Sequence, residues 1–218
     1  MMDELTLVQR IAVWILPVIF AITVHEVAHG WVAKKYGDKT AFLQGRLTLN
    51  PLKHIDPFGT IILPVLMLIS FSGFIFGWAK PVPVDGRNFK NPKRAMMVVA
   101  LAGPVSNLLM ATVWALLARV GVLLHEFEFV SLPLIYMGVA GISINLVLAL
   151  INLLPIPPLD GSRVLSGLLT DYWAWQFNRL ERFGFIILLV LLATKALNVI
   201  LAYPLFYATQ LFFGIAGL

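Results

Sequence analysis

Along this chain, long apolar stretches alternate with short polar loops rich in Lys and Arg. The apolar runs cover about residues 11–33, 58–77, 95–124, 131–154 and 184–213. A helix needs ~20 residues to cross a hydrocarbon core, and several of these runs reach that length. They predict an all-α polytopic membrane protein, a bundle of about four to six transmembrane helices. The second run departs from this pattern. It contains Pro64 and passes into "FSGFIFGWAKPVPV", where Gly and Pro interrupt helical periodicity and alternation begins. The expectation there is a re-entrant segment, a helix going in and an extended strand coming back without net crossing. Pro81 and Pro83 stand two apart, so both face the unpaired side of an edge strand. Such a free edge can accept an extended peptide by strand addition.

Composition sharpens the class. Of 218 residues, 60% are hydrophobic and only 12% are charged, against roughly 25% charged in soluble domains. The first run lacks an evident small-residue cleavage site and is expected to be a retained helix rather than a signal peptide. Cysteine is absent, so any metal must be held by His, Asp or Glu. The net charge of +5 is spread over several loops, with no basic helix or aromatic-interleaved patch, which argues against a nucleic-acid partner.

The charge has a topological reading instead. Lys34, Lys35, Lys39, Arg46 and Lys53 follow the first run, and Lys80, Arg87, Lys90, Lys93 and Arg94 follow the second. Arg163, Arg179 and Arg182 follow the fourth, whereas the loop between the third and fourth holds His125, Glu126 and Glu128. By the positive-inside rule the three basic loops are cytoplasmic and the acidic loop lies outside. Residues 1–218 are expected to form a single domain, with a catalytic core at about 10–165. Interfacial and transmembrane helices follow at about 166–218, where "DYWAWQFNRLERFG" has the Trp, Tyr and Arg of an interfacial anchor.

Candidate chemistry sits in "ITVHEVAHGWVAKKYG", residues 22–37, which puts three ionisable side chains into an apolar helix. A charge at such a helix centre costs at least ~2.5–3.5 kcal/mol and needs a partner or a purpose. The order H-E-x-x-H places His25 and His29 on one helical face, suited to ligating one zinc ion. It leaves Glu26 beside them as general base. The bland alternative is a pair of histidines in interhelical hydrogen bonds. Two histidines leave a catalytic zinc one protein ligand short. Asp160, in "NLLPIPPLDG" directly after the fourth run, is the carboxylate that reaches the same depth if 58–77 makes no net crossing. An ordinary Pro/Asp/Gly turn is the competing explanation.

"HEVAHG", "LAGPVSN" and "NLLPIPPLDG", in that order, resemble the site-2 proteases, intramembrane zinc metalloproteases. "GRLTLNPLKHIDPFGT" and "FGWAKPVPV" are similar to the compact bacterial branch, and no stretch resembles a PDZ or CBS domain. The resemblance spans about residues 20–165. It implies one zinc per chain held by His25, His29 and Asp160, Glu26 as catalytic acid/base, and a transmembrane protein as substrate. It also implies a prokaryotic plasma membrane, and the loop charges place the active site towards its cytoplasmic side. Asn152 resembles the family asparagine near the active site, where an amide can steady a substrate backbone or a developing oxyanion. Asn107 is open between interhelical glue and substrate contact, and Asn145 is read as glue. His54 is open between turning back to the metal and ordering a loop or gating entry. The rival reading of the whole is a non-proteolytic zinc membrane protein or metal carrier using the same ligands. Such a carrier has no use for Glu26.

Overall fold

The structure is a computed structural model; it describes residues 5–62, 66, 69 and 77–218, apart from the side chain of Ile61. Helices dominate it, and no strand occurs among the described residues. The first apolar run forms α1, Leu7–Lys35, opened by a capping box in which Thr6 accepts from the Gln9 amide and the Gln9 side chain answers. Short α2, Thr40–Leu43, follows. The third and fourth runs form α3, Pro92–Leu123, and α4, Glu128–Asn152. Asn91 caps α3 through the Arg94 amide, and Pro92 occupies the first turn, where no amide hydrogen is required. The prolines of "PIPPLD" cannot continue α4, so the chain turns and restarts as α5, Asp160–Leu168. α6, Asp171–Asn178, then leads by a 3₁₀ turn into α7, Gly184–Ala193, and α8, Ala196–Ala216.

The last apolar run is therefore two helices rather than one. Lys195 breaks it with a left-handed backbone, φ 59°. Among the described residues, four helices, α1, α3, α4 and α8, are long and apolar enough to cross a membrane. Their outward faces carry Ile11, Ile15, Leu109, Leu116, Phe206 and Leu211 exposed. So continuous an apolar exterior suits lipid and not water. This is a membrane protein.

Helix α3 is the hub, packing against α1, α4, α5 and α8. Small residues let α3 and α4 approach closely: a Cβ on Gly138 would come within 2.5 Å of the Ala118 methyl. The buried core of the far half combines Ala111, Trp114, Ala115 and Ala118 of α3, Ile142 and Leu146 of α4, and Phe212 and Ala216 of α8. The near half, where α1, α3 and α5 converge, combines a smaller apolar cluster of Ala33, Phe89, Ala95 and Val99 with polar side chains.

The expected path of 58–77 lies largely outside the described residues, Pro64 included. Its flanks are described and meet each other. Trp78 N–H donates to Gly59 O at 3.1 Å, and the Thr60 hydroxyl donates to Trp78 O at 2.8 Å. Residues 77–85 form neither helix nor β ladder. The amides of Trp78, Lys80 and Val82 instead bond Gly59 O, His54 O and the Glu26 carboxylate.

Candidate metal centre

Position along α1 sets the first half of the site. His25 and His29 are four residues apart and their Nε2 atoms lie 3.1 Å from each other. Asp160, the first residue of α5, brings Oδ2 to 3.2 Å from both nitrogens. The turn that delivers it is tight: a Cβ on Gly161 would come within 2.4 Å of Leu154 O, so glycine is required there.

A chain of fixed polarity settles which nitrogen of His25 bears the proton. Asn145 Nδ2 donates to Gly141 O at 2.8 Å, which turns Asn145 Oδ1 towards Asn107. Asn107 Nδ2 donates to that oxygen at 2.9 Å and to Ala21 O at 3.1 Å. Its own Oδ1 is thereby aimed at His25 Nδ1, 2.6 Å away, which must be the N–H donor. His29 Nδ1 donates to Val99 O at 2.7 Å by the same logic, since a carbonyl only accepts. In the neutral rings, the form that ligates a metal, both Nε2 atoms are then bare lone pairs.

Three acceptor atoms thus face one another across 3.1–3.2 Å with no proton between the nitrogens, and Asp160 Oδ2 is buried without a hydrogen-bond partner. Such an arrangement is repulsive unless a cation sits among them. Ligands at ~2.0–2.2 Å around a tetrahedral zinc stand roughly 3.3–3.6 Å apart, so the donor set and its slightly closer spacing suit that ion. Among the described residues, His25, His29 and Asp160 form the one group able to hold a metal. Gly103 of α3 completes the fit. A Cβ there would come within 2.5 Å of both His25 Cε1 and His29 Nε2.

Glu26 lies on the neighbouring face of α1. Its Oε2 accepts from Val82 N–H at 2.8 Å, and no described residue bonds Oε1. Glu26 and His25 border a cavity of about 720 Å³, with Asn152, His54, Trp78 and Leu188 also on its walls. The other expected site residues separate by position. Asn152 lines the cavity while its Nδ2 bonds Leu148 O within α4 at 3.0 Å. Asn107 is fully buried behind His25, and not on the cavity wall. His54 is buried outside the metal group; its Nε2–H donates to Thr48 O at 2.9 Å, and it ties the loop to Lys80 through its carbonyl. Sequence reading missed Gly103, Val99 and Val82. Gly103 left a trace, a glycine inside an apolar helical run, but the backbone groups of Val99 and Val82 leave none.

The geometry defines a His₂Asp cluster able to hold a metal ion inside a bundle of apolar helices, and similarity gives that class a family. Relatives bearing the name "Putative zinc metalloprotease" match most of the chain. YwhC of Bacillus subtilis (strain 168) is 45% identical over 185 residues, covering 83% of this chain and 80% of its own. Rip2 of Mycolicibacterium smegmatis is 34% identical over 190 residues, 86% of this chain and 68% of that protein. MJ0611 of Methanocaldococcus jannaschii is 32% identical over 163 residues, with 75% and 72% covered. The chain belongs to this zinc metalloprotease family. No family model matches it, and no solved structure matches significantly.

Proposed function

We propose that this protein is a site-2-type intramembrane zinc endopeptidase that cuts membrane-spanning protein substrates. The observation that carries the reading is a His₂Asp cluster opening onto an apolar cavity beside a carboxylate that is not a ligand. A carrier would need no such carboxylate, and the described residues offer no second metal group along a path.

In this reading His25, His29 and Asp160 hold one zinc, with Asn107 and Val99 fixing the two imidazoles from behind. When bound, the ion supplies Lewis acidity towards a water and the scissile carbonyl. Glu26 accepts the water's proton at Oε1 and delivers it to the leaving amine nitrogen. Asn152, on the cavity wall, is placed to bond the substrate backbone or the developing oxyanion. The cavity's apolar walls suit an unwound stretch of transmembrane sequence. Topology follows the charge pattern: a multi-pass protein of a prokaryotic plasma membrane, its active site towards the cytoplasm.

The test is a cleavage assay on purified protein in liposomes carrying single-span peptides. The wild type should cleave, a chelator should abolish cleavage, and added zinc should restore it. Glu26→Gln keeps the size and loses the base, so it should retain about one zinc per chain and cleave nothing. Normal cleavage by Glu26→Gln would overturn the mechanism.

A further inference from the structure

The Glu26 carboxylate is held from outside its own helix. Between Pro81 and Pro83, which have no amide hydrogen, Val82 carries the sole backbone donor, and that donor goes to Glu26 Oε2 at 2.8 Å. Four further contacts fix where this amide lies. Lys80 N–H donates to His54 O at 2.9 Å, and the Arg46 guanidinium donates to Lys80 O at 2.9 Å and Pro81 O at 3.3 Å. Downstream, Asp85 N–H donates to Asp38 Oδ2 at 2.7 Å. The Val82 side chain is buried over Gly30, the residue after His29, where a Cβ would come within 2.7 Å of Val82 Cγ1 and 2.5 Å of Leu47 Cδ2. The segment therefore has its register set independently of Glu26.

We infer that Val82 is a positioning residue: its backbone amide, locked over Gly30, pins Glu26 Oε2 and leaves Oε1 to take the water's proton. The inference rests on the peptidase reading above. A glutamate has several rotatable bonds and here faces a cavity of about 720 Å³, so nothing on α1 itself selects one rotamer. A hydrogen bond to a charged acceptor is short, directional and stronger than a neutral one. Catalytic groups need support of this kind to stay within about 0.5 Å of their working geometry. The same contact gives the two prolines a function: with no other donor at 81–83, the segment cannot offer Glu26 a competing register.

Two substitutions separate the amide from the side chain. Val82→Ala keeps the N–H and loses packing. Val82→Pro deletes the N–H, and Pro83 already confines position 82 to the extended region that proline adopts. Misplacing a reacting group by ~1 Å costs on the order of 10²-fold. In single-span peptide cleavage, kcat of Val82→Pro should fall at least about tenfold below that of Val82→Ala, with KM and zinc content alike in both. Equal kcat in the two variants would overturn the inference. Amide hydrogen exchange supplies a readout free of activity and of folding defects in the proline variant. A peptide covering 81–83 reports Val82 alone, because its neighbours are prolines. Exchange there should be slow in the wild type and at least about tenfold faster in Glu26→Ala, with Lys80 unchanged. Unchanged exchange at Val82 would also overturn the inference. Wild-type protein that cleaves no peptide would sink the peptidase reading instead, and the exchange result would stand apart from it.

Discussion

Asn107 uses both ends of its amide, joining Ala21 of α1, Asn145 of α4 and the metal-side ring of His25. Asn107→Leu fills similar space but leaves His25 Nδ1–H and Asn145 Oδ1 buried and unpaired. Losing such an outer partner lowers metal affinity roughly 10–100-fold. Competition with a fluorescent chelator should show that loss, and affinity equal to wild type would remove Asn107 from the metal's support. Gly103→Ala tests the ligand cradle directly. Its methyl would lie 2.5 Å from both imidazoles, so zinc content should drop well below one per chain, while a full complement would mean the rings can retreat. At this scale the sequence was legible where chemistry is rare. His25, Glu26 and His29 have no inexpensive structural reason to sit in an apolar helix, and Asp160 is a carboxylate at matching depth. Gly103, Val99 and Val82 act through shape or backbone, and those roles exist only once α1, α3 and the 77–85 segment are in register.

The loops that follow α1 are organised by one carboxylate. Asp38 is buried and accepts from Thr40 N–H at 3.0 Å and its hydroxyl at 2.5 Å, from Asn88 Nδ2 at 2.8 Å and from Asp85 N–H at 2.7 Å. Burial alone would push its carboxyl up, but these hydrogen bonds win and hold it below the usual carboxylate range. The folded state therefore binds the proton more weakly than the unfolded chain, for which the value is about 3.9. Stability from Asp38 is fully present above that value and drains away as pH falls through the lower folded value. Asp38→Asn removes the charge and one acceptor, and should lower stability by about 1–3 kcal/mol at neutral pH. Thermal unfolding in detergent measures this, and the difference from wild type should shrink towards pH 3. A gap that stays constant with pH would show that the charge is immaterial. Among elements, α1, α3 and α4 were legible from apolar length alone. The run 184–213 was not, because the left-handed turn at Lys195 that divides it has no Gly or Pro to announce it. The edge strand expected at "FGWAKPVPV", 76–84, forms no ladder in its described part, since alternation shows which amides share a side and not what they bond.

For the whole molecule, the decisive feature is that Thr60 and Trp78 are hydrogen-bonded to each other. The described chain thus leaves and resumes at one place, and in the proposed topology the end of α1 and the start of α3 lie on the same side of the bilayer. Chain direction through α3 and α4 then returns Asp160 to the depth of His29. The sequence contains no cysteine, so Lys39→Cys, Lys90→Cys and Glu126→Cys each carry a single thiol. With a membrane-impermeant reagent on intact cells, Glu126→Cys should label while Lys39→Cys and Lys90→Cys stay protected until the cells are opened. Opposite behaviour at positions 39 and 90 would mean a full crossing between them. The spacing of the ligands also bears on biosynthesis. His25 and His29 are made early, but Asp160 follows only after the α3–α4 hairpin. A nascent chain that stalls, or whose hairpin fails to insert, presents two imidazoles and no carboxylate. In the peptidase reading the site therefore gains its third ligand only after the α3–α4 hairpin has been made, and a copy stalled before that point has no complete metal site to cut with.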